Sequence, residues 1–136
     1  LRTLPLRVAR QEQTAIALAE WLDGHAQVAA VHFPGLASFP QRDLVEQQQS
    51  GPGFMISFRV KGDVAKFAKA LDLVTLASSL GGFATLVCTP ATMTHRGMPP
   101  DAQADAGITP DLIRMSVGLE DAADLIEDLS RGFAAI

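Results

Sequence analysis

The segment Leu112 to Val117 reads L-I-R-M-S-V and places one arginine, Arg114, where a strand ordinarily carries an apolar residue. Period-two alternation sends Ile113, Met115 and Val117 to one face and Leu112, Arg114 and Ser116 to the other. Arg114 is therefore expected to look away from any helices packed on the sheet. A guanidinium on a rigid strand can grip a carboxylate through two parallel hydrogen bonds, or, more plainly, pair with a neighbouring acidic side chain. The second segment with chemical potential is S-S-L-G-G, Ser78 to Gly82. Its glycines either form a tight turn between two strands or let backbone and a serine hydroxyl approach a small ligand closely. It has neither the G-x-G-x-x-G pattern nor the G-K-[ST] ending of a nucleotide loop.

Other reactive residue types carry less. His25, His32 and His95 have no second strong ligand at metal-site spacing, which argues against zinc. Asp101 and Asp105 lie four apart but in a polar stretch, where solvated carboxylates are the ordinary case and an acid/base pair the exception. Cys88 is the single cysteine, unable to form an internal disulfide, and its run A-T-L-V-C marks it as a small buried hydrophobe before a reactive thiol.

These residues need a scaffold, and the composition supplies one. The chain has 136 residues, 48% hydrophobic and 19% charged, enough to bury the core of one domain. A net charge of -4 with interspersed signs leaves no basic stripe for phosphates, so nucleic acid is excluded as a partner class. No apolar run approaches the roughly 18 to 20 residues that span a bilayer, and the opening L-R-T-L-P-L-R has no signal-peptide pattern, so a cytoplasmic protein is expected.

Along the chain, Pro5 to Asp23 predicts a long amphipathic helix with Gln11, Ala15, Leu18 and Leu22 on one stripe, ending at Gly24. Val28 to Phe33 predicts a strand closed by Pro34-Gly35, and Gln41 to Ser50 a solvated helix broken by Gly51-Pro52-Gly53. Phe54, Ile56, Phe58 and Val60 alternate with polar or smaller residues as a strand. Asp63 caps a helix carrying Val64, Phe67, Ala68 and Leu71 inward. Leu73 to Ala77 and Thr85 to Cys88 are short β-type runs, and Pro90 to Thr109 reads as one long irregular connection. After the Arg114 strand, Asp121 caps a final helix with Ala122, Leu125, Ile126, Leu129 and Phe133 as its buried stripe. The order predicts a two-layer α+β domain, a small sheet with helices on one face and the other face in need of a partner.

Several long stretches together resemble a known family. They are S-L-G-G-F-A-T-L-V-C-T-P-A-T-M-T-H-R-G-M from Ser79 and A-G-I-T-P-D-L-I-R-M-S-V-G-L-E-D-A-A-D-L-I-E-D-L from Ala106. They are joined by T-L-P-L-R, A-I-A-L-A-E-W-L, V-H-F-P-G-L and G-F-M-I-S-F earlier in the chain. In this order they are similar to the C-terminal domain of the pyridoxal-phosphate-dependent enzymes of cysteine and methionine metabolism, the cystathionine γ-synthase, γ-lyase and β-lyase type.

The resemblance implies the small C-terminal domain of a fold-type I, aminotransferase-like enzyme of transsulfuration. In such an enzyme a large cofactor-binding domain of the same chain holds pyridoxal 5'-phosphate, and the assembly is a homotetramer. It implies that Arg114 binds the α-carboxylate of a small amino-acid substrate, that Ser79 helps hold the same group, and that Thr94 lies near that pocket. Many γ-synthases and γ-lyases carry a glutamate where this chain has Ser78, and E-S-L where it has Ala84-Thr85-Leu86. Ser78 is thus the position implied to set specificity, and its departure leaves open whether chemistry falls at Cβ or Cγ.

The only lysines, Lys61, Lys66 and Lys69, do not sit in the serine- or threonine-flanked loop from which the family's Schiff-base lysine comes. No catalytic residue is therefore assigned within this chain. Residues 1–136 are expected to be one domain of a longer protein, inactive alone. A stand-alone amino-acid-binding regulatory module with Arg114 as clamp is the alternative, and the upstream coding sequence distinguishes the two.

Overall fold

The computed structural model describes all residues from Leu1 to Ile136. Helix α1 runs Leu4–Asp23, with a proline in its first turn where a missing N–H costs nothing, and buries Gln11, Thr14, Ala15, Leu18, Ala19 and Leu22. Strand β1 (Val28–His32), the peripheral helix α2 (Arg42–Gln48) and strand β2 (Met55–Val60) follow. Helix α3 (Val64–Ala70) starts at Asp63, whose carboxylate accepts from the backbone N–H of Ala65 and Lys66 at 2.9 and 3.1 Å. Short strands β3 (Thr75–Leu76) and β4 (Leu86–Cys88) precede helix α4 (Pro100–Asp105), strand β5 (Leu112–Ser116) and helix α5 (Ala122–Ala134).

The five strands form one sheet in the order β1-β2-β5-β4-β3, antiparallel except for the β3–β4 pair. Register decides the faces. Ile56 and Val87 both stand opposite Met115, and Phe58 opposite Ile113, so these apolar side chains share one face and are buried. Helices α1, α3 and α5 close that face, contributing Leu18, Leu22, Phe67, Leu125, Leu129 and Phe133 to one core. Phe67 packs edge-on to Phe58 at 6.1 Å between ring centroids and lies 4.9 Å from Phe133, which ties α3 to α5 and the sheet. Gly132 permits that approach, because a Cβ there would stand 2.7 Å from the Phe67 ring.

Four expectations change. The Pro90 to Thr109 segment is not wholly irregular: it contains α4, which is tied back by Gln103 Nε2 donating to the carbonyls of Ala91 at 3.2 Å and His95 at 2.8 Å. The S-S-L-G-G segment is no tight turn, because β3 and β4 run parallel and their connection must travel back before β4 begins. The face opposite the helices is covered only in part: Ser116 and Cys88 on it are almost fully buried, whereas Ser57, Leu112 and Arg114 are half-buried and His32 is exposed. The large exposed apolar side chains Leu73, Leu76, Leu80 and Phe83 lie just before β3, on it and in the loop that follows. In α5 the stripe includes Asp128, fully buried, while Ala122 and Ile126 are only half-buried.

Asp128 is the polar key of this layer. Its carboxylate accepts from the backbone N–H of Asp72 at 2.8 Å, Leu73 at 3.1 Å and Val74 at 2.8 Å, and from Arg131 Nη2 at 2.9 Å. The chain leaving α3 toward β3 is thereby pinned to α5.

Candidate functional site

Arg114 sits on β5, between β2 and β4, on the face away from the helices. His32 of β1, Ser57 of β2, Arg114 and Cys88 of β4 stand opposite one another as a row across this face. Arg114 takes part in none of the four ion pairs of the chain, so the plain reading of a strand arginine paired with an acid does not hold. Its Nη2 instead donates to the carbonyl of Ser78 at 3.1 Å. A guanidinium has five N–H donors in a planar fork, so this contact orients the group and leaves donors for an anion.

The S-S-L-G-G loop lies over the same face. Ser116, two residues beyond Arg114, accepts from the Gly81 N–H through its Oγ at 2.9 Å. Gly81 has φ +76°, a left-handed conformation that a side chain would resist. Gln11, from α1, donates from Nε2 to the carbonyls of Gly82 and Val117, each at 2.8 Å. The backbone N–H of Leu119 donates to the Phe83 carbonyl at 2.8 Å. Held at these points, the loop presents Ser79 as an exposed residue beside the Arg114 contact.

The far end of the loop is locked by Glu120. Its carboxylate accepts from the backbone N–H of Thr85 at 2.7 Å and from the Thr85 hydroxyl at 2.6 Å, while the Gly118 N–H donates to that hydroxyl at 2.8 Å. Backbone approaches closely here: a Cβ on Gly118 would lie 2.5 Å from the Ala84 carbonyl carbon and 2.5 Å from the Phe83 oxygen. Neither neighbour is a flexible side chain, so Gly118→Ala is expected to force the two segments apart and cost about 1 to 3 kcal/mol. Chemical denaturation would read the loss, and hydrogen exchange at Leu119 and Thr85 should accelerate more than at core amides.

The other predicted residues separate. Ser78 meets Arg114 through its backbone, with its side chain exposed, and so remains adjacent to the site. Thr94 is exposed in the turns after β4, and its hydroxyl pairs with His95 Nδ1 at 2.9 Å rather than with Arg114. Asp101 and Asp105 are exposed on α4. His25 stacks on Phe133 with centroids 4.1 Å apart, as a packing group. Burial pushes the Cys88 thiol above its ordinary range and the nearby Arg114 charge pulls it partly back; the net effect favours the unreactive protonated form.

Lys61 donates from Nζ to the Ala26 carbonyl at 2.9 Å, and Lys66 and Lys69 belong to α3 on the helix side of the sheet, opposite Arg114. A groove of about 770 Å³ opens between α3 and the turns after β4, lined by Asp63, Val64, Ala68, Leu76, Met93 and Pro110 among others, and it includes neither Arg114 nor Ser79.

Gln11, Ser116, Thr85 and Glu120 were not singled out as site-building residues by sequence reasoning. The available signal was a glutamine on the inward stripe of an amphipathic helix, a place where polarity demands a partner.

Known proteins resemble this chain in sequence and in fold. L-methionine gamma-lyase of Pseudomonas putida is 45% identical over 138 residues, covering 99% of this chain and 35% of that protein. Cystathionine gamma-lyase of Mus musculus is 46% identical, covering 99% of this chain and 35% of its own length. A crystal structure of cystathionine gamma-synthase from Xanthomonas oryzae pv. oryzae in complex with cystathionine superposes with a TM-score of 0.93 at 45% identity, covering 100% of this chain and 37% of that one. The chain thus spans about a third of the length of the relatives it matches. Residues 1–134 match the family described as Cys/Met metabolism PLP-dependent enzyme, and the chain belongs to that family.

Proposed function

We propose that residues 1–136 form the substrate-binding C-terminal domain of a longer pyridoxal-phosphate-dependent enzyme of sulfur amino-acid metabolism. It would eliminate or replace a group at Cβ or Cγ of cystathionine, a methionine or homocysteine precursor, or an O-acyl-homoserine. The observation that carries this reading is the Arg114 head group, central on the sheet, turned from the helices, free of any acidic partner and oriented by the Ser78 carbonyl. Relatives that act on such amino acids support the substrate class.

Within this scheme Arg114 holds the substrate α-carboxylate through its remaining N–H donors, and the Ser79 hydroxyl adds another. Fixing the carboxylate restricts rotation of the amino acid, so the bond to be broken keeps one orientation. Ser78, whose carbonyl meets Arg114, is the position that tunes which leaving group is accepted. The lysines of this chain do not fit the cofactor, so pyridoxal phosphate and its lysine are assigned to the large domain of the same chain. The chain alone is then expected to show no lyase or transferase activity. The exposed Leu73, Leu76, Leu80 and Phe83 support packing against further protein, in the large domain or a homotetramer. No helix is long and apolar enough to cross a membrane; the cytoplasmic setting is part of the proposal.

The test is Arg114→Lys in the full-length enzyme. Charge is kept and the two-pronged donor is lost, so apparent substrate binding should weaken by about 1.5 to 3 kcal/mol. An unchanged KM together with a much lower melting temperature would show Arg114 to be structural.

A further inference from the structure

Gln11 is fully buried, on a helix whose neighbouring inward positions are alanine, leucine and threonine. Its amide nitrogen has two hydrogens and two partners, the carbonyl of Gly82 and the carbonyl of Val117, both at 2.8 Å. Gly82 closes the S-S-L-G-G loop, and Val117 follows the strand that carries Arg114. One side chain from α1 thus spans the loop that bears Ser79 and the strand that bears Arg114. Both partners are acceptors, so the position requires a double donor at this reach. A carboxylate would oppose two carbonyls, and an apolar residue would leave the buried Val117 carbonyl without this partner and the Gly82 carbonyl to solvent. Ser116 makes the second tie, accepting from Gly81 on the same loop while standing on the same strand as Arg114.

We propose that Gln11, seconded by Ser116, is a positioning residue of the carboxylate site: it sets where the Ser79 hydroxyl stands relative to the Arg114 guanidinium. The inference rests on the carboxylate reading given above. Gln11 touches no substrate in this scheme and acts only through the loop. A loop freed from Gln11 keeps Arg114 on its strand but lets Ser79 and the Ser78 carbonyl drift, and displacements near an ångström cost roughly a hundredfold in the most sensitive sites. The tie is one of several here, so a smaller loss is expected.

The experiment uses the full-length holoenzyme and compares kcat/KM for an amino-acid substrate with that for its α-carboxamide, which lacks the anion. Gln11→Met keeps the length and bulk of the side chain while removing both donors, and Ser116→Ala removes the second tie at small cost in volume. Gln11→Met should lower the preference for the carboxylate about tenfold and Ser116→Ala a few-fold, chiefly through KM. Arg114→Lys serves as the reference. If it abolishes the preference while Gln11→Met and Ser116→Ala both leave it intact, the positioning role is wrong and the carboxylate reading stands. If Arg114→Lys also leaves the preference intact, the carboxylate reading itself has failed. Should Gln11→Met not fold, Ser116→Ala decides alone by the same ratio. A lowered melting temperature with an unaltered preference would mark the Gln11 tie as structural only.

Discussion

Arg114→Ala in the full-length enzyme is expected to lower kcat/KM for the amino-acid substrate by about 3 kcal/mol, roughly a hundredfold, since it removes every charge-assisted donor that the lysine variant partly retains. Stability should change little. The head group is half-exposed, pairs with no acid, and bonds only a carbonyl that water can satisfy once the side chain is gone. Steady-state kinetics with a thermal melt separates the two quantities. The opposite result, intact kinetics and a melting temperature lower by many degrees, would return Arg114 to a structural role. Ser79→Ala should cost less than either Arg114 variant, because it removes one neutral donor.

Asp128→Ala is expected to have the largest effect on stability, about 3 to 5 kcal/mol. The substitution leaves three backbone N–H groups of residues 72–74 without their acceptor and frees Arg131, at a fully buried position. The chain between α3 and β3 would lose its attachment to α5. Burial by itself would raise the Asp128 carboxyl, but the N–H donors of Val74, Asp72 and Leu73, joined by Arg131, outweigh it and hold it below the usual carboxylate range. A depressed folded-state value means that the carboxylate stabilises the fold above the unfolded value of about 3.9, and that this contribution disappears as pH falls through the lower folded value. The stability gap between the native chain and Asp128→Asn should therefore be widest near neutrality and shrink in acid. Urea titrations from pH 7 to pH 3 would measure it, and a gap independent of pH would show that the charge is irrelevant.

Legibility followed the range of the interactions. Elements that rest on local pattern were readable: the Asp63 and Asp121 caps, the α1 stripe through Leu18 and Leu22, and the alternation that turns Ile113 and Met115 inward and Arg114 outward. Helix α4 was not, because six residues beginning at a proline and burying no side chain give no periodic signal, and its ties come from Gln103 reaching back 12 and 8 residues. The two polar side chains that organise the domain were also hidden. Gln11 bonds partners 71 and 106 residues away, and Asp128 bonds amides more than 50 residues earlier. Each occupies an inward phase of a helix, and local sequence shows only that a polar group is buried, never which carbonyl or amide will meet it.

By itself the sequence determined the α+β class, the outward phase of Arg114 and, through several motifs in order, the family. Those properties depend on residue identity and short spacing. Only the tertiary structure decided that β5 lies between β2 and β4, that β3 joins parallel to β4, and that the S-S-L-G-G loop folds back across Arg114. Strand order and loop path are settled by which apolar faces close on one another and which buried polar groups find partners, and both are sums over contacts between distant parts of the chain.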